Sequence, residues 1–581
     1  MKKILSLVLA LSLLLGSALV LTSCGAPDDE GAQISVYLGE PIYDFDPTDY
    51  YVDSNADQLM SLLYEPLFTV TEKGKLKEAA AKEYEVNEDD RTIVIELRET
   101  YWSDGSRVLA SDYIYAWRDV ILDPTKSNPA AALFYDIENA VEIKKGEVSA
   151  YEFGATGSLY EITIVYREGA DYEQLLKNLS SVAAAPLRQN GVAQSSSYWS
   201  KNINSIYTNG PFKLSALDYD EGIITIERNL GYHQNPNKVD YDNEVNPHLL
   251  TSSFKVNGQT VDVTYSDLED KTVFIMTDAP LSDRSSKDGE AEVYDDLSTY
   301  TYVFDTTNPL FAKKEVRQAL SLVIDRNAII NAITFGKAAT GFVSPAASEN
   351  IQQSLISASA NKAKAEQLLA NVDFTGISKS FTLTVNNDAE SVAIAAIVEE
   401  AWESLGFNVT VKAVGAIEST IIDFGNSTNI AVLDSEIQYL VKEASKGNVQ
   451  FDVIGIDWQM YSNDPFVALA SLTSDMNGCG AIFNNADTTL RPNISGWSNA
   501  AYDQKLASAY GTANDDARNG YLKEAEAILI DEMPIIPLVF NETFVFTAKG
   551  ISKVKADGLG NLVFTDTKLK NYEDHFIVEE E

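Results

Sequence analysis

The stretch KKEVRQALSLVIDRNAIINAI, residues 313–333, decides the character of the second half of the chain. Its apolar residues Val316, Leu320, Val323 and Ile324 recur at the spacing of one helix face, which predicts one long helix. Helices are also predicted over 361–369, 391–405 and 519–529, with strands over 381–385, 409–411 and 451–455 between them. Strands that alternate with helices indicate an α/β fold whose sheets are covered by helices.

The first half is predicted to be richer in strands. The alternating residues 33–38 predict the first strand, and the turn Glu88-Asp89-Asp90 predicts a hairpin between strands over 85–87 and 92–97. A helix is predicted over 54–64, and Ser111-Asp112 is expected to cap another that ends near Pro124. Further strands are predicted over 160–166, 212–214, 223–227 and 261–265.

The N-terminus carries the pattern of an export signal. Lys2 and Lys3 precede an apolar run over 4–20, and small residues follow it, which is typical of a secretory signal peptide over 1–23. An uncleaved membrane anchor is the alternative, but at about 1.5 Å per residue the run spans roughly 25 Å, short of a ~30 Å bilayer core. Leu21-Thr22-Ser23-Cys24 resembles a bacterial lipobox, which implies a diacylated Cys24 followed by a flexible tether over 24–32.

Composition restricts the class of function. The formal net charge of −42 opposes binding to nucleic acid or to anionic lipid. Such acidity suits either a preference for cationic ligands or solubility at an extracellular surface. After the signal, no second apolar stretch approaches the ~18 residues of a membrane span. With Cys24 acylated, Cys479 is left alone, so an internal disulfide is not expected.

Motifs of catalysis and of metal binding are missing from the sequence. It contains only His233, His248 and His575, without HExxH spacing, and it contains neither a G-x-S-x-G elbow nor a phosphate-binding G-x-x-x-x-G-K-[ST] loop. We therefore expect no enzyme activity, no catalytic residue, no metal site and no cofactor.

Five sequence blocks occur in an order that is characteristic of one family. They are LYEPLF (63–68), LR with YWSDGS (97–106), ASDY with YAWR (110–118), TNGPFKL with IERN (208–229), and VRQAL with IDR (316–326). Together these blocks resemble the extracellular solute-binding proteins of the oligopeptide and dipeptide type, family 5, which are components of ABC importers. The resemblance extends over nearly the whole mature chain.

The resemblance implies a periplasmic-binding-protein-like α/β fold with two lobes, three domains and a hinge of two crossovers. Domain I would comprise 33–64, 206–299 and 532–581, domain II 65–205, and domain III 300–531. The implied function is capture of oligopeptides in the interlobe cleft and their delivery to an ABC permease and ATPase complex. We expect a monomer that is held by its lipid at the extracellular face of the cell membrane, on a Gram-positive surface, or on the periplasmic side in a Gram-negative cell.

One position departs from the family pattern. In peptide-binding members a segment W-x-x-D-x-x-(D/E/N)-P supplies an aspartate to the peptide's ammonium group, whereas the matching segment here, Trp458 to Pro465, has Tyr461 at that position. Asp457 could replace the missing charge, or a carboxylate of the patch Asp44, Asp46, Asp49, Asp53 and Asp57 could do so. Alternatively, the ligand is a glycan, a modified peptide or a metal chelate.

The candidate ligand-binding residues are Trp458, Tyr461, Asp457, Asn463 and Asn387. Each of the better defined candidates also has an ordinary structural role to compare: a core aromatic for Trp458, a strand-end cap for Asp457 and a turn for Asn386-Asn387. The aspartate patch suits a solvated loop.

Overall fold

The computed structural model describes most of the chain after the predicted tether. The described residues are 33–50, 56–194, 198–233, 249–254, 263–423, 428–445, 448–479, 493–564 and 567–570. The signal peptide 1–23, the tether 24–32 with Cys24, Asp53, and the last part of the predicted domain I after residue 570 lie outside these residues.

The strands are β1 (Gln33–Gly39), β2 (Phe68–Val70), β3 (Leu76–Glu78), β4 (Ala81–Asn87), β5 (Thr92–Leu97), β6 (Ala155–Ser158), β7 (Glu161–Val165), β8 (Phe212–Asp218), β9 (Ile223–Arg228), β10 (Leu249–Phe254), β11 (Ile275–Met276), β12 (Glu292–Phe304), β13 (Lys337–Ala338), β14 (Ser380–Asn386), β15 (Asn408–Val414), β16 (Ala416–Asp423), β17 (Thr428–Ser435), β18 (Val453–Gln459), β19 (Ile535–Thr547), β20 (Ile551–Ser552), β21 (Lys555–Ala556), β22 (Leu562–Val563) and β23 (Lys568–Leu569).

The α-helices are α1 (Ala56–Leu63), α2 (Ala110–Ile114), α3 (Ala140–Lys144), α4 (Tyr172–Asn178), α5 (Gln189–Gln194), α6 (Tyr265–Glu269), α7 (Leu281–Lys287), α8 (Lys314–Leu322), α9 (Arg326–Ile333), α10 (Lys362–Leu369), α11 (Ala389–Glu403), α12 (Glu436–Ser445), α13 (Pro465–Ala470), α14 (Ala500–Tyr510) and α15 (Asp515–Glu532). Within the described residues, no helix is both long enough and apolar enough to cross a bilayer.

A large mixed sheet runs through both lobes in the order β15-β14-β18-β12-β19-β11-β1-β10-β9-β8. One end, with β1 and β8 to β11, belongs to the first lobe, and the other end, with β14, β15 and β18, belongs to the second lobe. A separate sheet in the order β4-β5-β7-β6 completes the first lobe. The predicted α/β fold with two lobes is confirmed.

Two long strands, β12 and β19, connect the lobes. They pair with each other in antiparallel fashion, while β19 also pairs with β11 in the first lobe and β12 pairs with β18 in the second. Their register breaks between the pairs Asp295–Glu542 and Thr299–Phe540, so that residues 296–298 lie opposite the single residue Asn541. Such a bulge bends the strands locally and redirects their side chains.

The first lobe is joined internally by a close crossing of two segments. Asn209 accepts a hydrogen bond from the Glu65 backbone N–H at 3.1 Å and returns one to the Glu65 carbonyl at 2.8 Å. A Cβ on Gly210 would lie 2.7 Å from the Leu63 carbonyl carbon, so only glycine fits at this crossing.

Three local predictions are wrong. The predicted helix 313–333 is divided into α8 and α9, because Asp325 accepts bonds from the backbone N–H groups of Asn327 and Ala328 and caps a new helix. Residues 263–264 have no strand structure, and Tyr265 begins α6. The cap of α2 is Leu109, with Asp112 bonded to its N–H from the third helical position.

Candidate functional site

The loop that follows β18 is held by a buried ion pair. Asp464 accepts the Phe466 N–H at 3.0 Å and so caps α13, whose first residue is Pro465. The Arg518 guanidinium of α15 donates to both Asp464 oxygens, at 2.9 and 2.8 Å, and the Asp464 side chain is 1% exposed. Asp464, the residue before Pro465, therefore has the structural role of holding this loop in place.

Tyr461 lies in this loop in the left-handed region, with φ of 57°. A bulky side chain rarely adopts this conformation, which costs roughly 1–3 kcal/mol. The Tyr461 ring is buried and meets the Tyr50 ring edge-on, with 5.1 Å between their centroids. At the position of the family's counter-ion, this chain thus has an aromatic side chain packed against the first lobe.

The same loop contacts the first lobe through hydrogen bonds. The Ser462 hydroxyl donates to Asn178 Oδ1 of α4 at 2.6 Å, and Asn463 Oδ1 accepts a longer bond from Gln174 of α4 at 3.4 Å. Both Ser462 and Asn178 are buried. The predicted site residue Asn463 therefore lies at a contact between the lobes.

Trp458 and Asp457 point to opposite faces of β18, as neighbouring strand residues do. Trp458 is 4% exposed and meets the Phe342 ring edge-on at 5.4 Å between centroids, which is the packing of a core aromatic. Ligand stacking by Trp458 stays a prediction.

Asp457 is half-buried and lies within β18 rather than as a cap beyond its end. The Asn541 amide donates to Asp457 Oδ1 at 2.6 Å and to Ser298 Oγ at 2.8 Å. Burial raises the Asp457 pKa to about 8, and the carboxylates Glu390, Asp388 and Asp296 add to this against the hydrogen bond from Asn541.

Asn387 is exposed and directly follows β14. Its N–H donates to the Val414 carbonyl at 2.9 Å, which extends the ladder between β14 and β15 by one residue. Since β14 and β18 are parallel, with Leu383 beside Val453, their carboxyl ends meet at one sheet edge and bring Asn387 near Asp457. Asn386 is the last, half-buried residue of β14.

Residues 40–50, called here the strap, cross from the first lobe toward the second. Lys442 of α12 pairs with Asp49 at 3.0 Å and approaches Asp44 at 3.7 Å. Burial opposes ionisation of Asp44, but Lys442 and Lys201 outweigh it and lower the Asp44 pKa. The expectation of a solvated loop is wrong for these aspartates, because their charges are neutralised across the lobes.

The remaining aspartates of the patch differ from one another. Asp46 accepts bonds from the Thr48 N–H and hydroxyl, and burial together with Asp44 and Asp49 raises its pKa to about 7. Asp57 is buried at the start of α1. Neither residue therefore lies in a solvated loop.

Cys479 lies at a further contact between the lobes. It is buried, and the Ser127 hydroxyl of the first lobe lies 3.5 Å from its sulfur. The adjacent Asn128 N–H donates to the Gly478 carbonyl at 2.7 Å. Burial raises the pKa of the thiol to about 11, so this cysteine is unreactive while the lobes are in contact.

Sequence reasoning missed three polar residues that complete the site. Asn541 interrupts the apolar strand IIPLVFNETFVFT, residues 535–547, and this interruption was a usable signal. Asn178 and the strap residue Tyr50 carry no comparable signal, since their partners are distant in sequence. In the described part of the chain, no group of His, Cys, Asp or Glu is arranged to hold a metal ion.

The arrangement is that of a two-lobed protein with polar groups near the carboxyl end of β18 and contacts that hold the lobes together. The chain matches the family model of bacterial extracellular solute-binding proteins, family 5 (Middle), over residues 75–478. It belongs to this family, so the resemblance indicated by the five sequence blocks is confirmed. The family consists of binding proteins, so the expectation of a non-enzymatic role is confirmed on that ground.

Relatives and solved structures agree with this assignment. The chain is 24% identical to the oligopeptide-binding protein OppA of Bacillus subtilis over 534 residues, which cover 89% of each chain. Haemophilus influenzae OppA in complex with RPPGFSPFR has a TM-score of 0.73 at 19% identity, with 93% of this chain and 99% of that chain covered. The unliganded open form of the murein tripeptide binding protein MppA has a TM-score of 0.54 at 22% identity, with 93% and 98% covered.

Proposed function

We propose that this protein is the substrate-binding subunit of an ABC importer, which captures oligopeptides between its lobes and delivers them to a permease and ATPase complex. The observation that carries this proposal is the direct contact of the loop after β18 with α4, through Ser462 and Asn178. Contacts of this kind close the space between the lobes around a ligand. The oligopeptide-binding function named for the Bacillus subtilis relative supports the choice of ligand.

The proposal includes the domain division and the membrane attachment. Domain I comprises 33–64, 206–299 and 532–581, domain II 65–205, and domain III 300–531, with β12 and β19 as the two hinge crossovers.

Lipidated Cys24 tethers a monomer to the extracellular face of the cell membrane. Labelling with a radioactive fatty acid tests the anchor: the wild-type chain takes up label and Cys24→Ala takes up none. Equal labelling of the two chains would exclude lipidation at Cys24.

The ligand class is tested by thermal unfolding. We expect pooled peptides of three to six residues to raise the melting temperature of the full mature chain, because a ligand at a hundredfold excess over its Kd stabilises a protein by about 2.7 kcal/mol. Oligosaccharides at the same concentrations are the control and should have no effect. If only the oligosaccharides raise the melting temperature, the peptide function is wrong.

A non-peptide solute is the second candidate, and one observation favours it. Tyr461 stands where a counter-ion is expected, and its buried ring packs on Tyr50. A tyrosine attracts a cation by only about 0.5–2 kcal/mol, far less than a carboxylate can in a buried site. A glycan, a modified peptide or a metal chelate would need no carboxylate at this position.

A further inference from the structure

Four carboxylates surround the carboxyl end of β18. They are Asp457 of β18, Asp296 of β12, and Asp388 and Glu390 at the start of α11. Burial raises the pKa of Asp457, Asp296, Asp388 and Glu390. The base of the cleft is therefore a buried region with an excess of acidic groups.

The partners of these groups show where a positive charge is missing. Arg284 donates to Glu390 and to Asp278, the latter at 2.6 Å, and so is already neutralised twice. Asp388 caps α11 through the Ser391 N–H at 2.6 Å. Asp457 is bonded by the neutral Asn541 amide, and among the described residues it forms an ion pair with none.

Gln459, two residues after Asp457 on β18, provides a second, independent observation. Gln459 is 4% exposed, and its Nε2 atom has no hydrogen-bond partner in the described part of the chain. Residues two apart share a strand face, so Gln459 points to the same side as Asp457. It lies opposite Ser298, which shares the Asn541 amide with Asp457. An acidic acceptor and a buried amide donor thus point into the same polar region.

The bulge in β12 explains why these groups converge. Residues 296–298 lie opposite Asn541, which turns Asp296, Ser298 and Asn541 toward the end of β18. The region also reaches the strap. Burial is the main cause of the raised pKa of Tyr50, and nearby carboxylates, Asp296 among them, add to it. The Tyr50 ring also meets that of Tyr461. The polar groups therefore lie where the hinge and the interlobe cleft meet.

We propose that Asp457, Gln459 and Asn541 form the ammonium subsite of this cleft, with Asp457 on β18 four residues before Tyr461. The ligand group that fits is an unblocked amino-acyl end: its ammonium group pairs with Asp457, and its first carbonyl accepts from Gln459 Nε2. This inference rests on the proposed peptide-binding function and names the chemical group on which that function depends.

A pH dependence follows from the surroundings of Asp457. The charged groups that face it are Asp296 from β12 and Asp388 and Glu390 from α11, with Arg284 of α7 beyond Glu390. In the empty site the Asp457 pKa of about 8 keeps the carboxyl largely protonated at pH 6. Since the α-amino group of a peptide has a pKa of about 7.7–8.0, affinity should be greatest near pH 8 and about twentyfold weaker at pH 6.

The test compares peptide pools by calorimetric titration of the full mature chain at pH 6 and 8. The probes are tripeptides to hexapeptides with free amino ends and the same pool N-acetylated. For the wild-type chain we expect the free-amine pool to bind at least tenfold more tightly at pH 8 than at pH 6. Titration at pH 7 in two buffers of different ionisation enthalpy should show release of a proton from the protein on binding.

Asp457→Asn should weaken binding of the free-amine pool at least tenfold at pH 8, remove the proton release, and leave the affinity for the acetylated pool unchanged. Gln459→Met, which keeps the size of the side chain but removes the donor, should weaken both pools several-fold. Glu366→Gln, on the exposed face of α10, is the matched control and should behave as the wild type.

Two results would overturn the inference. If Asp457→Asn binds the free-amine pool as the wild type does, the subsite is elsewhere and the peptide function still stands. If the wild-type chain binds neither pool, the peptide function and this inference both fail.

Discussion

Replacement of Arg518 tests whether the loop after β18 depends on a buried ion pair. Arg518→Met keeps the apolar stem and removes the guanidinium, which leaves the Asp464 side chain, at 1% exposure, without its cation but with its helix-capping bond intact. Removal of one partner from a buried pair typically costs about 3–5 kcal/mol. Because one Arg518 nitrogen donates to both Asp464 oxygens, at 2.9 and 2.8 Å, we expect a loss of unfolding free energy of about 3 kcal/mol.

The measurement is urea unfolding at pH 7, followed by tryptophan fluorescence. Trp497 reports on this region, since its ring meets that of Tyr502 at 5.1 Å in the same lobe. The control is the double variant Arg518→Met with Asp464→Asn. Asparagine still caps α13 but carries no charge, so the double variant should recover about 1–2 kcal/mol of the loss. A loss below 1 kcal/mol in the single variant, or no recovery in the double variant, would refute the reasoning.

Three further changes have definite expected outcomes. Asn178→Ala removes a buried hydrogen bond between the lobes that is worth about 1 kcal/mol, so the lobes should separate more often. Maleimide should then label Cys479, which is buried between the lobes, about fivefold faster than in the wild type. Equal labelling rates would contradict this. Lys442→Met leaves Asp44 and Asp49 of the strap without their main cation, so it should lower the unfolding free energy measured in urea by about 2–3 kcal/mol. The control Lys362→Met, on an exposed helix face, should change this free energy little. Because Asp457 binds its proton more tightly when folded than when unfolded, unliganded stability should fall as the pH rises from about 4 to 8, and Asp457→Asn should flatten this slope in urea titrations.

Local sequence patterns predicted much of the fold. The strand over 381–385 is observed as β14 and the helix over 391–405 as α11, since each depends on a periodicity of neighbouring residues. By contrast, Arg317 of α8 donates to the carbonyls of Glu532 and Met533, and these residues are too far away in the chain for a local pattern to predict the contact. The break before α9 was missed because the apolar spacing continues across it while a single side chain caps a new helix.

The candidate site was less predictable, for a different physical reason. Its contacts join residues far apart in the chain, such as Ser462 and Asn178, which are 284 residues apart, and no local pattern encodes such a pairing. The departure at Tyr461 was visible in the sequence, but its packing on Tyr50 depends on the path of the strap. Burial likewise determines the state of Asp457, and burial at a cleft is a property of the assembled lobes.

The pairing of β12 with β19 has a mechanical consequence. Because the two crossovers are hydrogen-bonded to each other on both sides of the bulge at residues 296–298, we expect them to bend together and to act as a single pivot. One angle then describes its whole motion, and one distance between a probe on each lobe suffices to follow it. In the proposed subsite the charged end of the ligand lies against this pivot, where a small displacement produces a large movement at the far ends of the lobes.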